Sequence, residues 1–145
     1  MNQFPHEYQV SAQAELTGSV SLSADGMPEL TSAPPKQFGG PGDQWSPEDL
    51  LVASVADCFV LTFRAVAQAS RLDWVGLEVS AEGLLERVER VTRFTRFTVS
   101  ANLTVPEGTD PEKARRLLEK AEAACMITNS LSAKTHLETE VTVKA

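Results

Sequence analysis

The chain has 145 residues, a formal net charge of −7, 42% hydrophobic residues and 23% charged residues. This composition is typical of a globular protein and excludes a disordered chain, and the length predicts a single domain over residues 1–145. The negative charge argues against a nucleic-acid partner, because binding to phosphates needs a basic surface. The first ten residues lack a basic stretch followed by an apolar run, so we expect no signal peptide and a cytoplasmic protein.

The first third of the chain predicts short strands joined by turns. Three alternating patterns indicate strands at residues 8–14, 19–24 and 29–31. Asp25-Gly26 is typical of a hairpin turn. A loop at residues 34–41, PPKQFGGP, then contains one aromatic residue, Phe38, and one cation, Lys36.

A long helix is predicted at residues 46–70, SPEDLLVASVADCFVLTFRAVAQAS. Ser46 is an N-cap residue type and Pro47 suits the first helical position. Apolar side chains surround the axis, which predicts a helix buried on most sides, by a sheet and by a second copy of the chain. The most apolar window, residues 50–63, has 14 residues and is too short to span a bilayer of about 30 Å, so we expect no membrane partner.

The rest of the chain predicts an α+β fold. Alternating patterns indicate half-buried strands at residues 75–86, 97–105 and 135–143, with a turn near residues 89–90 between the first two. Asp110 precedes a second helix, and Cys125 lies at the C-terminal end of that helix on its core face. The sequence MITNSL after Cys125 predicts a short or kinked helical turn.

Two cysteines are the main candidates for chemistry. Cys58 lies in the middle of the long helix and Cys125 on the core face of the second, so both point inward and can meet. In a cytoplasmic protein, two cysteines indicate thiols or a redox pair rather than a structural disulfide. Two interpretations stay open: the thiols cooperate, or each cysteine only packs in the core, where free cysteines are common.

The neighbours of Cys58 in the sequence do not favour a reactive thiol. The thiolate is the nucleophile, and a carboxylate such as Asp57 next to it raises the pKa of the thiol. A buried Asp57 also costs several kcal/mol unless it is paired or protonated. Cys58 is far from the N-terminus of its helix, and Glu48 lies about 15 Å away along the axis. We therefore expect that Cys58 needs a positive group to react.

Cys125 is the less favourable of the two thiols, since the negative end of a helix dipole raises the pKa of a thiol. We therefore expect Cys58 to attack first. His136 alternates with charged residues on the last strand, which predicts a solvated position. No spacing of cysteine and histidine suits zinc, and we expect no metal.

The combination of these segments resembles the OsmC/Ohr family, the osmotically inducible protein C and organic hydroperoxide resistance proteins. The matching parts are FGG, SPEDLL, the DCF cysteine ten residues after Glu48, and AEAACMITNSL. The resemblance implies an OsmC-like α+β fold of N-terminal strands, a long buried central helix, a β-hairpin, a second helix and a C-terminal strand. It also implies an intertwined homodimer, in which the two central helices pack against each other.

The resemblance further implies a thiol-dependent peroxidase that reduces organic hydroperoxides in oxidative-stress defence. Cys58 matches the attacking cysteine, which becomes a sulfenic acid, and Cys125 the resolving cysteine, which closes a disulfide. Glu48 matches the acid that orients a catalytic arginine. A dithiol of the lipoyl type then reduces the disulfide, and no cofactor is implied. Phe38 and Trp45 either pack or line an apolar mouth for the hydroperoxide.

The chain departs from the family pattern because it lacks an arginine in the region where the family has its catalytic arginine. Residues 1–63 contain no arginine, and Lys36 is their only lysine. We expect Lys36 to stabilise the thiolate, without the planar bidentate contact of an arginine. Met126 follows Cys125 where the active branches usually have proline. An alternative function is that of a family member that lost the chemistry and binds a small hydrophobic or thiol-bearing ligand at the dimer interface.

Overall fold

The computed structural model describes residues 3–145, and its helices and strands follow the predicted order. The chain forms two compact units, the first ending at Leu50 and the second comprising Leu51–Ala145. The α+β fold class is confirmed by this arrangement, whereas the single domain over residues 1–145 stays a prediction.

The first unit contains a three-stranded antiparallel sheet. Its strands, in the order β1-β2-β3, are β1 Ser11–Gln13, β2 Val20–Ser23 and β3 Leu30–Ser32. The predicted turn is present, with the backbone N–H of Met27 donating to the carbonyl of Ala24 at 3.1 Å and Gly26 at a φ of 77°. The first strand is shorter than predicted, because β1 pairs with β2 only between Ser11 and Gln13.

The glycines of the FGG sequence follow a single 3-10 turn, Lys36–Phe38. Gly39 ends this turn with a φ of 86°, a conformation that favours glycine. The backbone N–H of Gly40 donates to the carbonyl of Pro35 at 3.0 Å. A Cβ atom on Gly40 would lie 1.6 Å from the carbonyl oxygen of Pro34. Only glycine therefore fits at position 40 without a backbone shift.

The second unit contains a mixed sheet in the order β4-β5-β6. Its strands are β4 Gly76–Val88, β5 Val91–Pro106 and β6 Lys134–Lys144. β4 and β5 form an antiparallel hairpin, and β6 runs parallel to β5. The predicted turn lies at Glu89 and Arg90, both with positive φ. β5 begins earlier than predicted, because the residues from Val91 onward continue the pairing with β4.

The long helix α1, Pro47–Ala69, begins with reciprocal capping as its sequence predicts. The Ser46 hydroxyl oxygen accepts from the backbone N–H of Asp49 at 3.0 Å, and the Asp49 carboxylate accepts from that hydroxyl at 2.9 Å. α2, Pro111–Ala124, is capped by Asp110, whose carboxylate accepts from the Glu112 N–H at 3.0 Å. A four-residue helix, α3, then covers Met126–Asn129.

The core of the second unit lies between one face of the sheet and the helices. Alternate residues of β5 are buried there: Phe97, Val99, Ala101, Leu103 and Val105. α1 and α2 bury one stripe each against them: Val55, Phe59, Phe63 and Ala67 from α1, and Ala114, Leu117, Leu118 and Ala121 from α2. Both helices therefore pack on the same core, which places the middle of α1 near the end of α2.

Only one face of α1 is buried within the chain, and Leu61 on the other side is 53% exposed. The prediction that the helix is buried on most sides therefore does not hold for one chain alone. The helix is also longer than the predicted apolar window: it has 23 residues and a mean hydropathy of 1.9, enough to cross a membrane by length and composition. Four of its residues, Val55, Phe59, Phe63 and Ala67, are buried in the core of the second unit.

Replacing Gly40 by alanine tests the close approach at the FGG sequence. We expect Gly40→Ala to lower the free energy of unfolding by about 1–3 kcal/mol, because the new methyl group overlaps the Pro34 carbonyl. Gly76→Ala is the control, since a Cβ atom there meets nothing within 4 Å and is expected to change stability by less than about 0.5 kcal/mol. Urea unfolding of both variants measures the difference, and equal stabilities would contradict the prediction.

Candidate active site

Cys58 lies half-buried on an open, mainly apolar groove of about 460 Å³ in the second unit. The groove runs between α1 and the junction of α2 with α3. Its lining residues are Ser54, Asp57, Cys58, Leu61, Thr62, Ala65, Ala124, Met126 and Ile127.

Four groups lower the pKa of Cys58 as hydrogen-bond partners of its sulfur: the backbone N–H groups of Ile127 and Met126 and the side chains of Cys125 and Thr62. Thr62 lies one turn further along α1, with its hydroxyl oxygen 3.7 Å from the sulfur. Because α2 ends at Cys125, the two N–H groups belong to the first turn of α3, where backbone donors have no partner within their own helix. The break between the two helices therefore supplies donors to the thiol.

Burial and these hydrogen bonds together determine the acidity of Cys58. Burial of the sulfur has the largest single influence and raises the pKa. The hydrogen bonds, of which that from Ile127 is the strongest, together outweigh burial and bring the pKa of Cys58 below its ordinary value. Hydrogen bonds have this effect because they favour the thiolate over the thiol.

The structure corrects two expectations about this thiol. Asp57 is exposed to solvent and lines the groove, and it is not among the groups that shift the pKa of Cys58. The groups that lower the pKa of Cys58 within residues 3–145 are hydrogen-bond partners and include no cation. Sequence reasoning considered only the helix that carries Cys58 and missed Met126, Ile127 and Thr62. The MITN turn after Cys125 was the signal for the two backbone donors.

The structure brings the two predicted cysteines together. Both are free thiols, Cys58 half-buried and Cys125 buried at the end of α2. The Cys125 side chain is a hydrogen-bond partner that lowers the pKa of Cys58. The next residue, Met126, is 69% exposed and lines the groove. The catalytic roles of the cysteines stay a prediction.

The other predicted site residues belong to the first unit. Glu48 lies in the first turn of α1, and its Oε1 atom is buried without a hydrogen-bond partner in residues 3–145. Lys36 is exposed, and its aliphatic stem runs along Gly42. Phe38 and Trp45 are 59% and 49% exposed. Their roles in catalysis and in substrate binding stay predictions.

His136 is exposed, as predicted, with its Nε2 atom 3.7 Å from the Glu138 carboxylate. Within residues 3–145, no group of three or more His, Cys, Asp or Glu side chains has an arrangement that holds a metal ion.

A family model described as OsmC-like protein matches residues 40–140, which is more than half of the chain. The chain belongs to the OsmC-like protein family. A curated relative, the organic hydroperoxide resistance protein of Xanthomonas axonopodis pv. citri, is 28% identical over 130 residues, covering 87% of this chain and 89% of that protein. The uncharacterized protein YmaD of Bacillus subtilis is 26% identical over 113 residues, covering 76% of this chain and 75% of YmaD.

Solved structures agree with this OsmC-like fold. An OsmC-like protein of unknown function from Vibrio cholerae superposes with a TM-score of 0.84 at 16% identity, covering 93% of this chain and 99% of that chain. An organic hydroperoxide resistance protein from Elizabethkingia anophelis superposes with a TM-score of 0.77 at 22% identity, covering 99% of this chain and 100% of that chain. The predicted OsmC-like fold is thereby confirmed, whereas the location in the cytoplasm stays an expectation.

Removing the Thr62 hydroxyl tests the hydrogen bonds at Cys58. We expect Thr62→Val to raise the pKa of Cys58 and to slow its alkylation by iodoacetamide roughly two- to tenfold at neutral pH, since a hydrogen bond contributes about 0.5–1.5 kcal/mol. Mass spectrometry of the peptide that contains Cys58 follows the reaction over a range of pH. Thr62→Ser should restore the parent rate.

Ser54→Ala is the matched control, because the Ser54 hydroxyl lines the same groove but donates to the Leu51 carbonyl at 2.6 Å. A Thr62→Val protein that titrates like the parent would contradict the role of this hydroxyl.

Proposed function

We propose that the protein is a thiol peroxidase that reduces organic hydroperoxides through Cys58 and Cys125, in defence against oxidative stress. The observation that carries the proposal is a thiol of lowered pKa, facing an apolar groove and hydrogen-bonded to a second thiol. Relatives named organic hydroperoxide resistance protein support the same role, at 28% identity.

The chemistry takes place in two steps. The Cys58 thiolate attacks the terminal oxygen of the hydroperoxide, the O–O bond breaks, and the alkoxide leaves as an alcohol after taking up a proton. Cys58 is then a sulfenic acid. The Cys125 sulfur attacks the Cys58 sulfur, a disulfide forms, and water leaves. Each turnover thus reduces one hydroperoxide and oxidises two thiols.

A dithiol reductant completes the cycle. One of its thiolates attacks the Cys58–Cys125 disulfide, and the second closes a disulfide within the reductant, which returns both protein cysteines to thiols. We propose a dithiol of the lipoyl type for this step. No metal or bound cofactor takes part in any of these steps.

The groove supports an organic rather than an inorganic peroxide as substrate. Its walls beside Cys58 are formed by apolar groups, including Leu61, Ala65 and Ala124. An alkyl or aryl group gains free energy by burial there, at about 25 cal/mol for each Å² removed from water. Hydrogen peroxide has no apolar part and gains nothing from these walls.

We also propose a homodimer. The outward side of α1 is exposed, and the β1-β2-β3 sheet is mostly exposed as well, so a small chain leaves both without cover. A second copy that packs against α1 would bury this surface. We propose the cytoplasm as the location, because it keeps both cysteines reduced between turnovers.

The number of thiols lost on oxidation tests the peroxidase. Titration of the reduced protein with cumene hydroperoxide should remove both thiols of each chain in step and produce an intramolecular disulfide. Cys58→Ser should abolish the reaction. Cys125→Ser should still lose the Cys58 thiol, as a sulfenic acid trapped by dimedone, but form no intramolecular disulfide. Mass spectrometry distinguishes these products. Thiols that survive excess hydroperoxide in the parent would contradict the peroxidase and favour a ligand-binding protein.

Lys36 and Glu48 are proposed to assist Cys58, as the cation and acid of the family pattern. Because hydrogen bonds already lower the pKa of Cys58, we expect Lys36→Met to slow oxidation by cumene hydroperoxide only about two- to fivefold, the size of one exposed charge interaction. Stopped-flow measurement of tryptophan fluorescence gives the rates. Lys134→Met, which removes an exposed lysine at the start of β6, is the control. If the Lys36→Met protein is oxidised as fast as the parent, Lys36 does not assist Cys58.

A further inference from the structure

The exposed side of α1 carries two opposite charges seven residues apart. Asp57 and Arg64 are both exposed, and neither has an ion-pair partner within residues 3–145. Seven residues bring two side chains to the same face of a helix, about 10 Å apart along its axis. The two charges are therefore too far apart to neutralise each other within one chain.

The residues between the two charges form an apolar centre. Leu61 is 53% exposed on this face, and Val60 lies beside it, half-buried. Along the helix axis, the point halfway between Asp57 and Arg64 lies between Val60 and Leu61. The two charges are therefore placed symmetrically about the apolar pair. The face thus has an apolar middle, an acid towards one end and a base towards the other.

Such a face is complementary to itself. In a two-fold contact the same patch meets itself, so that residue i touches residue j and residue j touches residue i. Two copies of α1 that cross antiparallel with the axis between Val60 and Leu61 place each Asp57 opposite an Arg64. A parallel arrangement would place like charges opposite each other, which is unfavourable.

We propose that a second copy of the chain docks antiparallel on this face of α1, and that Asp57 of each copy pairs with the partner's Arg64 at the edge of the Cys58 groove. The inference rests on the proposed dimer and deepens it by naming the residue that the partner contributes. Asp57 lines the groove together with Cys58, so the partner's guanidinium completes its rim. In a chain with no arginine before position 64, this contact brings an arginine to the site from the other subunit.

Charge exchange tests the pairing. We expect Asp57→Arg and Arg64→Asp each to raise the dissociation constant of the dimer at least about tenfold, because each places like charges opposite each other twice. The double variant, Asp57→Arg with Arg64→Asp, should return to within about threefold of the parent. An equimolar mixture of the two single variants should form a heterodimer, since its two contacts are again of opposite sign. Sedimentation equilibrium measures all four.

Arg116→Asp is the matched control, because Arg116 is exposed on α2 and does not line the groove. It should leave the dissociation constant unchanged. If a single variant fails to fold alone, refolding the two single variants together still decides the question, since only opposite charges across the two-fold axis rescue them.

A monomeric parent, a double variant no tighter than the single variants, or single variants that dimerise as tightly as the parent would each overturn the inference. The peroxidase is assayed separately, by cumene hydroperoxide consumption of the parent. A parent that consumes hydroperoxide as a monomer keeps the proposed peroxidase and loses the pairing, whereas an inactive parent with the expected charge rescue does the reverse.

Discussion

The break between α2 and α3 at Cys125 is the feature on which the site depends. Had α2 continued, the N–H groups of Met126 and Ile127 would bond to carbonyls of their own helix. The chain instead leaves the helix at Cys125, and these donors reach Cys58 on α1. The shared core of α1 and α2 fixes this approach, since the buried stripes of both helices pack on the same face of β5. Packing thus positions both thiols and the donors around them.

Activation by hydrogen bonds has a consequence for stability. The folded protein binds the Cys58 proton less tightly than the unfolded chain does, because its pKa is lower in the fold. The contribution of this thiol to stability is therefore fully present above the ordinary pKa of cysteine and is lost as the pH falls through the lower, folded value. The same shift gives a larger thiolate fraction near neutral pH, which is the reactive form.

Local signals made much of the fold predictable. The caps at Ser46 and Asp110 and the alternation of β5 are properties of neighbouring residues. The two backbone donors at Cys58 come from residues almost seventy positions later in the chain, and only tertiary packing brings them there. The exposure of Asp57 was missed because a helix with apolar residues all round its axis does not reveal which face one chain leaves open. The start of β5 was missed because its first residues are polar and lie at the exposed end of the hairpin.

The central claim is that hydrogen bonds lower the pKa of Cys58 despite its burial, and its most direct test is the titration of that thiol. ¹³C NMR of protein labelled at the cysteine Cβ atoms reports the protonation of each cysteine as a function of pH, with the chain unfolded in urea as the reference. The predicted result is a midpoint for Cys58 in the folded protein below that of the unfolded chain. A folded midpoint equal to the unfolded value, or above it, would contradict the account.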